Sequence, residues 1–67
     1  MSVAATMQFI WGTIANKRST MLQTENGPAR IESVRTTAGA NLELKLRNGK
    51  LLTITPDNCG EIRSKLF

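Results

Sequence analysis

The chain has no histidine and no tyrosine, a single cysteine, two prolines and three aromatic residues: Phe9, Trp11 and Phe67. Each scarcity excludes a class of chemistry. Without imidazole there is no side chain that ordinarily titrates near neutral pH, and none of the commonest metal ligands. Cys59 alone closes no intrachain disulfide and builds no zinc site of the usual kinds. The carboxylates are few and scattered, at Glu25, Glu32, Glu43, Asp57 and Glu61. The five glycines are isolated, so no Gly-rich phosphate loop is present. These absences predict a protein that is not an enzyme, with no catalytic residues, no bound metal or cofactor and no small-molecule substrate.

Long apolar runs are also missing. None approaches the roughly 20 residues that span a bilayer, and no basic, apolar and small-residue leader pattern opens the sequence. The expected location is therefore cytoplasmic. The Met-Ser start without a tag reads as that of a complete natural chain. With 67 residues, 1–67 is expected to form one small domain. A domain of this size buries only roughly 60% of the surface its unfolded chain exposes, and self-association is a natural way to add to that. Hydrophobic residues make up 40% of the chain, enough for a small core.

What is present is organised around Asn41 to Thr55. Leu42, Leu44 and Leu46 alternate with Glu43, Lys45 and Arg47. Successive strand side chains point to opposite faces, so the leucines face a core and the charges face water. Asn48-Gly49 supplies a turn. A two-residue loop would oppose leucines to threonines and Arg47 to Lys50, a like-charge pair. A three-residue loop, Arg47-Asn48-Gly49 with Gly49 at a bulge, instead sets Leu42 against Ile54 and Leu44 against Leu52. Glu43 then meets Thr53, and Lys45 meets Leu51. Burial selects this second register.

Upstream, Val3, Met7, Ile10, Trp11, Ile14 and Met21 recur at helical spacing. Ser2 is a candidate N-cap, and Asn26-Gly27-Pro28 is a stop signal. Gly12, Thr13, Ser19 and Thr20 oppose a helix. The expectation is a helix over residues 3–16, with 19–25 open between a further helical turn and a strand. The rival is a pair of strands, Met7 to Ala15 and Ser19 to Glu25, with Phe9, Trp11 and Thr13 on one face. In Arg30 to Thr36, Ile31 and Val34 are three apart, which breaks strict alternation, so a strand there needs a bulge or else carries only one buried residue per face. Residues 37–41 read as a flexible turn into the main hairpin. Pro56 ends the last strand. Asn58 with Glu61 resembles a capping box for a helix from Cys59 to about Leu66, its Cys59, Ile62 and Leu66 face packing under the sheet. Cys59 is read as a small apolar core residue, the alternative being an activated thiol in the first turn of a helix.

The expected fold is α+β: an N-terminal helix, a three-stranded antiparallel meander over 29–55 and a short C-terminal helix. The alternative is a small five-stranded barrel with a C-terminal helix. Function is expected to lie in binding. The first reading is a small protein-interaction module, an adaptor or inhibitor docking on a larger protein and self-associating, with Phe9, Ile10 and Trp11 as its anchor. The second draws on the net charge of +4 and is a nucleic-acid-binding module. It uses Arg30, Arg35, Lys45, Arg47 and Lys50 on the charged face of the hairpin. Single-strand binders usually add exposed aromatic platforms, and this chain has few to spare.

Overall fold

A computed structural model describes residues 2–67. The N-terminal segment is a helix, α1 (Val3–Ala15). Ser2 is its N-cap, with the Ser2 Oγ accepting the Ala5 N–H at 3.1 Å. The helical spacing therefore prevails over the two-strand alternative, and the barrel with it. Gly12 is tolerated in mid-helix. Thr6 is buried but donates its hydroxyl to the Ser2 carbonyl at 3.0 Å, so no polar group is stranded there.

The sheet has four antiparallel strands rather than three, in the order β1 (Met21–Thr24), β2 (Gly27–Thr36), β3 (Leu42–Leu46) and β4 (Leu51–Ile54). It is curled into a half-barrel. The extra strand comes from the stretch the sequence left open. Asn26-Gly27-Pro28, which reads as a helix stop, belongs instead to a hairpin in which Thr24 pairs with Gly27. Met21 accordingly lies on β1 and not on the helix. Gly27 takes φ 101°, a left-handed value that a residue with a Cβ adopts only with strain.

The central hairpin has the expected register: Leu42 opposite Ile54, Glu43 opposite Thr53, Leu44 opposite Leu52 and Lys45 opposite Leu51. The loop is the three-residue one. Leu46 N–H bonds to the Lys50 carbonyl at 2.9 Å, and Gly49 carries φ 89°. β2 slips register between Ile31 and Ser33, so of the two alternatives the Ile31–Val34 spacing allowed, the bulge is the one found. The turn from β2 to β3 runs over Ala38–Ala40, with Gly39 (φ 78°) and Ala40 (φ 61°) both in the left-handed region.

The second helix, α2 (Cys59–Lys65), is not held by a capping box. The Asn58 side chain turns back to the sheet: its Oδ1 accepts Thr55 N–H at 2.8 Å and its Nδ2 donates to the Thr53 carbonyl at 3.0 Å. Glu61 faces along the helix to Lys65 Nζ at 3.0 Å. Leu66 leaves the helix and bridges Leu22, while Phe67 exchanges backbone hydrogen bonds with Met21 at 3.0 Å. The C-terminus thus closes the outer edge of β1.

Both helices pack against the inner face of the curled sheet. The core joins Ile10 and Ile14 of α1, Leu22, Ile31, Leu42, Leu44, Leu46 and Ile54 of the sheet, and Cys59 and Ile62 of α2. Cys59 is buried, its Sγ 3.5 Å from the Pro56 carbonyl, as a packing residue would be. No helix among the described residues is long and apolar enough to cross a membrane.

Candidate functional site

α1 carries no charged residue in its 13 positions, which is unusual for a helix with one face in water. Successive residues on a helix point about 100° apart, and this separates Phe9, Ile10 and Trp11. Ile10 has no exposed surface and belongs to the core, so it is removed from the surface anchor. Phe9 is 46% exposed but turns toward α2, where the Arg63 guanidinium lies 4.5 Å from its ring centroid. That contact ties the two helices together and is of the order of 0.5–1 kcal/mol at an exposed site. Trp11 is 40% exposed on the opposite flank.

On the Trp11 flank α1 stands off from the sheet and leaves an open groove of about 660 Å³. Val3, Met7 and Trp11 line one side. Thr36 and Leu42 from the end of the sheet, with Pro56, line the other. The lining includes no charged residue. Val3 is 48% exposed at the rim. A second, smaller hollow of about 220 Å³ continues past Trp11 toward the end of α1, between Ala15 and Lys17 on one side and Glu32 and Val34 on the other.

The helical partners in this site were legible in the sequence, because Val3, Met7 and Trp11 share the apolar stripe. Thr36, Leu42 and Pro56 were not. They come from three separate parts of the chain, and only the curl of the sheet brings them beneath α1. A leucine already assigned to the core gives no sign that one of its flanks faces a groove.

The basic residues lie on the other side of the molecule. Arg35 and Glu43 pair across β2 and β3 at 2.6 Å, with the arginine side chain still largely exposed. Arg47, in the turn after β3, donates its N–H to the Arg30 carbonyl at 2.9 Å. Lys45 lies on the outer face of β3 two residues before Arg47, and Lys50 follows the turn. Among the described residues, none of these four has an ion-pair partner. Leu51, 61% exposed, is the large apolar side chain beside Lys45, and the face has no aromatic residue.

Comparison with protein-family models, with curated proteins and with solved structures finds no match to this chain.

Proposed function

We propose that the chain is a small, cytoplasmic, non-enzymatic module that docks on another protein through the groove between α1 and the sheet. The observation that carries this reading is the uncharged helix α1, with Trp11 and Val3 exposed at the lip of an apolar groove. Exposed apolar surface costs free energy in water, and tryptophan is among the residues most enriched at interface hot spots. Self-association is the form of this reading in which a second copy fills the groove. The chain acts as an adaptor or an inhibitor, because the groove offers shape and apolar area but no group that performs chemistry.

The test is capture on immobilised protein with two variants. Met7→Glu places a charge in the groove, and the double variant Arg47→Glu, Lys50→Glu reverses the basic face. A partner retained by the second and lost from the first is the expected result. Retention by Met7→Glu equal to wild type contradicts the reading.

The backbone bond that brings Arg47 beside Arg30 favours a second reading, a nucleic-acid-binding module on the outer face. Like charges held side by side are destabilising, and a bound phosphate relieves the repulsion. About three phosphate contacts imply that affinity falls about 40-fold between 50 and 200 mM salt.

A further inference from the structure

β2 pairs on different sides along its length. Residues 27–30 pair with β1, and the Ile31 N–H is taken by the Thr20 carbonyl at 2.8 Å. From Ser33 onward β2 pairs only with β3. The Leu46 N–H points to β4. By alternation the peptide groups of Leu44 and Leu42 also point to β4, while those of Glu43 and Lys45 point to β2. Their partners Arg35 and Ser33 therefore turn toward β3, and the N–H and C=O groups of Val34 and Thr36 point away from it. No turn, loop or side chain among the described residues bonds to those groups.

That free edge runs along the groove already described. Thr36 lines the larger hollow and Val34 the smaller one, and Trp11 is common to both. Lengths agree. Residues 32–36 of a strand span about 16 Å, and the 13 residues of α1 span about 20 Å. A channel with a helix on one flank and an unpaired strand edge on the other fits an extended peptide, which adds a strand and sets alternate side chains in the channel.

Charge along the channel sets the chemistry of the occupant. The larger hollow has no charged lining residue, so alternate side chains entering it are apolar. At the far end Lys17 and Glu32, one charge of each sign, line the smaller hollow without forming an ion pair. An antiparallel strand, the commoner pairing, runs from Thr36 toward Glu32 and brings its C-terminal end there.

We infer that the partner in the proposed docking reaction contributes an extended segment of about five residues, apolar at alternate positions, which adds antiparallel to the free edge of β2 beside Trp11. The inference rests on the protein-docking reading and names its mode.

The test uses the intact chain and a library of acetylated six-residue peptides, apolar at alternate positions, each with a free C-terminal carboxylate. Amide hydrogen exchange of Val34 and Thr36 is followed together with emission from Trp11. Thr36→Pro removes a donor that points only outward, so the β2–β3 ladder is kept, and Thr36→Ala controls for the side chain. The expected result is new protection at Val34 and Thr36, with binding weakened at least tenfold by Thr36→Pro and little changed by Thr36→Ala. The amide spectrum of each variant checks that the fold is intact. Peptides that shift Trp11 emission while leaving both amides unprotected overturn strand addition and leave protein docking standing. Protection that rises with protein concentration alone makes a second copy the occupant and overturns the partner peptide. Failure of every peptide in the library to bind at millimolar concentration overturns the inference as well.

Discussion

Lys17 occupies a backbone position that most helices give to glycine. Its φ is 61°, and it ends α1 in a Schellman motif. Lys17 N–H bonds to the Ile14 carbonyl at 3.0 Å, and Arg18 N–H bonds to the Thr13 carbonyl at 2.9 Å. The left-handed conformation costs a residue with a Cβ about 1–2 kcal/mol, and glycine is entropically costlier to order by about 0.5–1 kcal/mol. Lys17→Gly is therefore expected to stabilise the fold by roughly 0.5–1 kcal/mol, read as a rise in the urea midpoint at unchanged slope. A fall in the midpoint would mean that the motif carries no strain. No glycine marks this end, yet the expected helix over residues 3–16 stops within one residue of the observed Ala15, and Ser2 at its start was legible as well. Leu44 is equally legible. Its alternation with charged neighbours announces its burial, and it has no exposed surface. Leu44→Ala is expected to cost roughly 2–5 kcal/mol. A loss under about 1 kcal/mol would contradict the face assignment of the hairpin.

At the scale of elements, the central hairpin was read from its own residues because register, loop length and burial all point one way there. β1 was not, because Met21-Leu22-Gln23-Thr24 is short and its pairing depends on β2 and on the returning C-terminus. The junction between β4 and α2 shows a second kind of miss. Asn58 and Glu61 have capping-box spacing, yet Asn58 spends both ends of its amide on the sheet. This side chain lies across the outer edge of β4, the kind of obstruction that guards a short edge strand against pairing with another chain. Asn58→Ala frees Thr55 N–H and the Thr53 carbonyl together. The expected loss is roughly 1–3 kcal/mol, with faster amide exchange at Thr55. Unchanged exchange there would show that the Asn58 bond is not formed in solution.

At the scale of the whole molecule, the two candidate faces are separated by the sheet itself. Its inner side, with α1, presents an uncharged groove. Its outer side presents Arg30, Lys45 and Arg47 with no aromatic platform. The sequence placed the cations on one face by alternation alone. It grouped Phe9, Ile10 and Trp11 by adjacency, and helical geometry sends these three to α2, to the core and to the groove. Only the folded chain shows that the groove has a second wall.

The central claim is that Trp11 marks the working surface, and Trp11 is the chain's sole tryptophan. The most direct measurement is therefore its emission. The intact protein is titrated with alternately apolar peptides and with single- and double-stranded nucleic acid, at about 50 and 200 mM salt. The account predicts a saturable blue shift with peptide that changes little with salt, and no comparable shift with nucleic acid. Tight nucleic-acid binding that collapses at the higher salt, with no peptide moving the emission, would contradict it.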